Sequence, residues 1–273
     1  MSEETAALAA LAVELAEGAA AIARAGRAGS FAVDAKTTAT DLVTEVDRRV
    51  EQWLVERIAA ARPGDGVLGE EGGGREGTSG VRWVLDPIDG TVNFVLGIPH
   101  YAVSVAAELA GEVVAGAVCN PENGETFRAQ RGAGAFLVTG RGAERLRGPR
   151  AVPLAQAVVG TGFGYDAHLR SRQAAALGTL LPRIGNIRRL GSAALDLCFL
   201  AAGRLDGYFE AGLNAWDHAA GALVAREAGC EVTGRDGGAP SPELVVAAGP
   251  ELAGALRAAV AAAGADRVIE LSS

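Results

Sequence analysis

Two aspartates stand three residues apart directly after an apolar run, in Trp83-Val84-Leu85-Asp86-Pro87-Ile88-Asp89-Gly90-Thr91-Val92-Asn93-Phe94. A strand here delivers both carboxylates onto a sharp turn. Pro87 fixes one backbone angle, and Gly90 admits a close approach or an unusual angle. The residues that follow can start a helix, whose free N–H groups favour a phosphate. Carboxylates in this setting suit Mg²⁺, a hard cation that takes oxygen ligands in octahedral geometry. Two such ions about 3.5–4 Å apart clamp the attacking and leaving oxygens of an in-line displacement. One carboxylate must then bridge the ions, and further acids must come from elsewhere in the chain.

Several acids are placed to do so. Glu70 and Glu71 lie at a strand end in Gly69-Glu70-Glu71-Gly72. Asp217 opens a helix in Ala215-Trp216-Asp217-His218-Ala219-Ala220-Gly221. Asp41 and Asp47 bracket Leu42-Val43-Thr44-Glu45-Val46, with Asp47 in the first turn of a helix. Each has a plainer reading taken singly. Asp47 and Asp217 suit helix caps or dipole partners, Glu70-Glu71 a solvated strand end, and Asp86 and Asp89 turn positions. Taken together they point to a multi-metal phosphate site that hydrolyses a small soluble phosphate monoester.

The elements that must position these residues are legible in outline. Apolar spacing predicts a helix over about residues 4–26, with Ala7, Leu8, Leu11, Leu15 and Ala19 on one face, and a second from about Glu45 to Ala61. A polar loop, Asp34 to Asp41, separates them and holds the only lysine, Lys36. Pro63-Gly64-Asp65-Gly66 ends the second helix. Val67–Gly69 begins the strands, and Gly72–Gly80 is a glycine-rich loop. Arg82–Leu85 reads as a short strand that stops at Asp86-Pro87, and Ala102–Leu109 and Glu112–Cys119 as a hairpin turning at Ala110-Gly111. Thr126–Gln130 and Ala135–Thr139 are two more strands.

Gly140–Arg150, polar and rich in Gly and Arg, reads as the boundary between two halves of one compact unit. Residues 1–145 form an α+β half with the metal and phosphate site, and 146–273 an α/β half that selects the substrate. In the second half strands at Ala157–Gly160, Ile184–Arg189, Leu205–Glu210 and Val245–Ala248 alternate with helices at Ala167–Leu181, Ser192–Ala202, Asp217–Ala228 and Glu251–Ala263. That alternation predicts a layered α/β architecture.

The bulk numbers narrow the function. The chain has 273 residues, 49% of them hydrophobic, enough for a substantial core. Lys+Arg total 25 against Asp+Glu 33, a formal charge of -8, which opposes a nucleic-acid partner. The best candidate for a local basic patch is Arg183, Arg188 and Arg189. Cys119, Cys198 and Cys230 fall in no metal-ligand spacing and read as buried free thiols of a reducing cytoplasm. The N-terminus lacks the basic region of a signal peptide. Glu14 and Glu17 interrupt the first apolar run, so it reads as an amphipathic helix and not as a membrane span. These features predict a cytoplasmic protein with no membrane partner.

The Asp86–Thr91 and Trp216–Gly221 segments resemble the two signatures of the inositol monophosphatase family. Asp41–Asp47 and Gly69-Glu70-Glu71 resemble its other two landmarks, in the same order and spacing. The resemblance runs from about residue 5 to residue 265. It implies the layered α-β-α-β-α sandwich shared with sugar bisphosphatases, lithium inhibition and a homodimer. It implies Glu70, Asp86, the carbonyl of Ile88, Asp89 and Asp217 as Mg²⁺ ligands, with Asp86 bridging. Thr91 and Asp47 then hold the attacking water, with Glu70 beside them among the catalytic groups, and the N–H groups of Gly90 and Thr91 cradle the phosphate. Two Mg²⁺ ions are expected, with room for a third near Glu70, Lys36 and the Asp34–Asp41 loop.

Substrate selection is expected from the second half. By resemblance Glu210, at a strand end, meets the hydroxyls of inositol, and Gly191-Ser192-Ala193 is another sugar-contacting stretch beside Asp89 and Asp217. A carboxylate accepts well from vicinal hydroxyls, and a site built so rejects analogues that lack them. Two departures stand out. Asn214 occupies the place of a histidine that touches the ring in the animal enzymes, which puts the polyol in doubt. Ala228-Gly229-Cys230 lacks a commoner second glycine, although Gly229 still serves as a helix C′ residue. Fructose-bisphosphatase, histidinol-phosphatase and nucleotide 3′-phosphatase share the metal site and stay open as alternatives. A binding partner of transcription machinery is the alternative of another class.

Overall fold

Leu8, Ala12, Leu15, Ala16 and Ala19 recur at helical spacing and form the fully buried face of α1 (Glu3–Arg27) in the computed structural model, which describes residues 3–39, 41–72 and 74–269. Thr40 and Gly73, in the two loops read from the sequence, lie outside the described residues. By length and composition α1 alone among the described helices could cross a membrane. Its apolar face is instead covered by the sheet and by α2. The polar loop contains a short hairpin, β1 (Val33–Ala35) and β2 (Leu42–Thr44). α2 (Glu45–Ala61) starts where the sequence places it because Thr44 caps it. The Thr44 hydroxyl accepts from the Val46 and Asp47 N–H groups, and Asp47 reaches back to the Thr44 N–H at 2.9 Å.

A seven-stranded sheet follows: β3 (Gly66–Gly69), β4 (Val81–Asp89), β5 (Ala102–Leu109), β6 (Glu112–Asn120), β7 (Glu125–Gln130), β8 (Gly134–Thr139) and β9 (Gly142–Arg145), in that spatial order. Only β3 and β4 pair in parallel. The hairpin at Ala110-Gly111 forms as read, with φ 53° and 83° at its two turn residues, the left-handed pair that a two-residue turn requires. Side chains of β4 alternate between two cores. Trp83 and Leu85 face α1 and α2, whereas Val84 faces the helices of the second half. Burial on both faces explains the unbroken apolar run.

β4 does not stop at Asp86. It runs to Asp89, with Asp86 opposite Ser104 and Asp89 opposite Ala102, so one extra residue is bulged out around Pro87. Proline cannot donate to the ladder, and a bulge is where a strand tolerates it. β9 occupies part of the stretch read as a polar boundary. All four of its residues are exposed, so apolar alternation gives no signal there.

The second sheet has the order β11-β10-β12-β14-β13, from β10 (Val158–Thr161), β11 (Asn186–Arg188), β12 (Gly207–Glu210), β13 (Glu231–Thr233) and β14 (Val245–Ala248). β13 is a three-residue edge strand that periodicity misses. Of the helices, α3 (Thr91–Leu96) links β4 to β5, and α4 (Ala167–Leu180) and α7 (Pro250–Ala262) cover the outer face of this sheet. α5 (Ala193–Ala201) and α6 (Ala215–Glu227) lie between the two sheets. The result is the expected α-β-α-β-α layering. α5 and α6 approach closely because a Cβ on Gly221 would stand 2.9 Å from the Ala194 carbonyl oxygen. Gly229, at φ 96°, ends α6 as the C′ residue.

Candidate active site

The β4 bulge and the start of α6 bring three acids together. One carboxylate oxygen each from Asp86, Asp89 and Asp217 lies within 4.8 Å of the others. Each carboxylate is oriented through one oxygen. Asp86 accepts from the Ile88 N–H at 3.0 Å, and Asp217 from the Asn214 N–H at 2.6 Å. Asp89 Oδ2 accepts from the Ser192 hydroxyl at 2.5 Å and the Ala194 N–H at 2.7 Å. Asp217 is therefore the third residue of α6 and caps it, so the plainer reading and the functional one hold at once.

Burial pushes Asp86, Asp89 and Asp217 above the usual carboxylate range; repulsion from Glu70 adds to it in all three, from Asp89 in Asp86 and Asp217, and from Asp196 in Asp89, which reaches about 6. Hard oxygen donors, crowded and without a cation among them, fit a divalent metal ion, and these residues could hold one. Glu70 stands beside them but is paired elsewhere. Its carboxylate accepts from Lys36 Nζ at 2.8 Å, and Lys36 also binds Glu71. Burial raises Glu71 to about 7 despite that contact.

Thr91 bridges the bulge and α2. Its hydroxyl lies 3.1 Å from the Ile88 carbonyl oxygen and 3.2 Å from Asp47 Oδ1. Asp47 is fully buried, and loss of solvent raises it to about 6. Gly90 begins α3 at φ 96°. A Cβ there would meet the Gly191 carbonyl oxygen at 2.9 Å and that of His100 at 3.3 Å. Gly90→Ala is therefore expected to cost about 1–3 kcal/mol of stability through a left-handed non-glycine backbone and a backbone clash, readable as a lower melting temperature.

Of these groups, Glu70, Asp86, Asp89, Gly90, Thr91 and Asp217 line a cleft of about 430 Å³, with Asp47 buried behind Thr91. Gly191, Ser192, Ala193, Glu210 and Asn214 line the same cleft, with Ser192 directly against Asp89 and Asn214 against Asp217. Glu210 ends β12 and accepts from the fully buried Tyr208 hydroxyl at 2.7 Å. Burial raises it to about 7. Gly162 makes room for this carboxylate, since any Cβ would overlap it. Sequence reading did not find Tyr165 and Asp166 in this cleft, and it took Arg189 only for a surface charge. The one signal was the Gly162-Phe163-Gly164 run after a strand. His218 stays outside the cleft, and burial lowers it to about 4. The three cysteines are buried and free.

Comparison with known proteins bears on this geometry. The model of the inositol monophosphatase family matches residues 4–268. The chain belongs to that family. It is 51% identical over 247 residues to the inositol-1-monophosphatase SuhB of Mycobacterium tuberculosis, across 88% of this chain and 84% of that one. A solved structure of Mycobacterium tuberculosis SuhB superposes with a TM-score of 0.82 over 96% of this chain and 98% of that one, at 45% identity. The Nus factor SuhB of Pasteurella multocida is 43% identical over 213 residues, across 76% of this chain and 78% of its own length.

Proposed function

We propose that this family member is a Mg²⁺-dependent phosphatase that hydrolyses inositol 1-phosphate to inositol and phosphate. The observation that carries the reading is the convergence of Asp86, Asp89 and Asp217 in a cleft that Glu210 also lines. With the Ile88 carbonyl and Glu70, the three aspartates would hold two or three Mg²⁺ ions. Bound there, Mg²⁺ would supply positive charge for the phosphoryl oxygens and lower the pKa of water.

The chain's own groups do the rest. Gly90 and Thr91 present N–H groups to the phosphate and fix its orientation. A proton leaving the attacking water passes to Thr91 Oγ1, whose own proton moves to Asp47 Oδ1 3.2 Å away. Asp47, raised to about 6, is matched to that task near neutral pH. Glu70 flanks this pair. Glu210 accepts from vicinal hydroxyls of the polyol, while Gly191, Ser192 and Ala193 contact it beside Asp89 and Asp217. Glu210→Gln is expected to raise KM for inositol 1-phosphate about tenfold, because one charge-assisted hydrogen bond is weakened, with kcat changed far less. Steady-state kinetics separates the two.

The deciding experiment is phosphate release over inositol 1-phosphate, fructose 1,6-bisphosphate, histidinol phosphate and adenosine 3′,5′-bisphosphate, with Mg²⁺, with chelator and with lithium. Preference for inositol 1-phosphate, lost on chelation, supports the reading. Preference for another ester moves the substrate and keeps the metal chemistry. The reading includes a cytoplasmic homodimer, which light scattering of the purified protein tests. A second reading, as a binding partner of transcription machinery, rests on the likeness to a relative named a Nus factor. Capture of RNA polymerase factors by a catalytically dead variant would support it.

A further inference from the structure

His100 and Asp196 face each other in the seam between the two sheets, and nothing in the reading above uses them. His100 Nε2 lies 3.9 Å from Asp196 Oδ1. Both atoms are buried and have no hydrogen-bond partner among the described residues, and Asp196 is 1% exposed. An approach of less than about 1 Å, or a turn of the imidazole, would complete a bond between them. The Phe199 ring packs edge-on to the imidazole at 5.3 Å.

The segments joined by this pair both carry site residues. Asp196 lies in the first turns of α5, where the Ser192 hydroxyl and the Ala194 N–H hold Asp89 Oδ2. His100 ends the stretch that starts at Gly90, and its carbonyl oxygen packs against Gly90. Asn93 ties the same two segments, donating to the His100 carbonyl at 2.7 Å and the Leu190 carbonyl at 2.8 Å. An apolar pair would hold this seam at least as firmly, since buried ionisable pairs add little to stability. What a polar pair adds is register.

We propose that His100 and Asp196 are a positioning pair that sets the first turn of α5 against the Gly90–His100 segment and thereby aims the Asp89 carboxylate. The proposal rests on Asp89 being a metal ligand. Partners that orient a ligand are typically worth 10–100-fold in metal affinity or activity, and this pair acts one step further out. His100→Ala and Asp196→Ala should each lower kcat and Mg²⁺ affinity about tenfold, with KM for inositol 1-phosphate unchanged. The double variant should lose no more than either single one, and Asp196→Asn, whose amide oxygen still accepts, should recover most of the loss.

Mg²⁺ affinity is read by titration calorimetry on the purified full chain, independently of turnover, and the melting temperature is followed in parallel. A His100→Leu/Asp196→Leu double variant fills the seam and guards against simple unfolding of the alanine forms. If it keeps the melting temperature while kcat and Mg²⁺ affinity stay low, the pair sets register. If it restores both, or if the alanine variants lose only melting temperature, or if their losses add, the pair is structural and the proposal is overturned. Asp89→Asn, run alongside, separates the cases: wild-type Mg²⁺ binding in that variant removes the metal reading itself.

Discussion

Asp89→Asn should lower turnover about 100-fold or more while leaving the fold intact. Asp89 Oδ2 already accepts two hydrogen bonds, from Ser192 and Ala194. An asparagine has one carbonyl oxygen to give. If that oxygen keeps the two bonds, its NH₂ group is turned toward Asp86 and Asp217, where a donor repels a cation. If the amide flips, the NH₂ group confronts the Ala194 N–H, two donors face to face. Either orientation removes a charge and misplaces a dipole at the point where metal ions and phosphate must meet. Stability should move the other way, because one repelling carboxylate has left a buried acid cluster. Steady-state turnover with Mg²⁺, alongside circular dichroism and a melting curve, reads both effects. Near-wild-type turnover would sink the metal assignment of Asp89, and loss of turnover together with the fold would show that the residue is structural.

Which parts of this site were legible follows from how local each signal is. Asp86 and Asp89 share one bulge, so twelve residues of sequence carry the strand, the turn and the helix start. α2, read at about Glu45 to Ala61 from apolar spacing and the Pro63-Gly64 stop, has those bounds because its signals are local, and the Thr44 cap that fixes its start is local too. β9 was lost because its four residues are exposed and show neither apolar alternation nor a β-branched run. Asp196 and His100 meet across 96 residues of chain, and nothing in either neighbourhood names the other. Lys36 was set near Glu70 only by family resemblance, and its ion pairs with Glu70 and Glu71 come from the fold. Local chemistry is written in spacing. Long-range polar pairing depends on which sheet faces which helix, and binary pattern does not carry that.

Without metal, the protein should be most stable in mild acid and lose stability as the solution approaches neutrality. Asp47 and Asp89 are raised from 3.8 to about 6, and Glu71 and Glu210 from 4.5 to about 7, all chiefly by burial. Each group therefore keeps its proton to higher pH in the folded chain than in the unfolded one. Between the two values the folded state binds more protons, so the free energy of unfolding falls as pH rises through that window, from about 4 to about 7. A shift of two units in one group corresponds to roughly 3 kcal/mol, which for a chain of this size is on the order of 10 °C in melting temperature. Mg²⁺ binds the deprotonated acids and not the protonated ones, so its stabilisation should be small near pH 5 and grow toward pH 8. Melting curves across that range, with chelator and with saturating Mg²⁺, should diverge as pH rises. In Asp89→Asn the chelator curve should be flatter, because one of the titrating groups is gone. A wild-type chelator curve that stays level through the window would mean that Lys36 and Arg189 already neutralise the cleft, and the demand for a metal ion would lose its electrostatic basis.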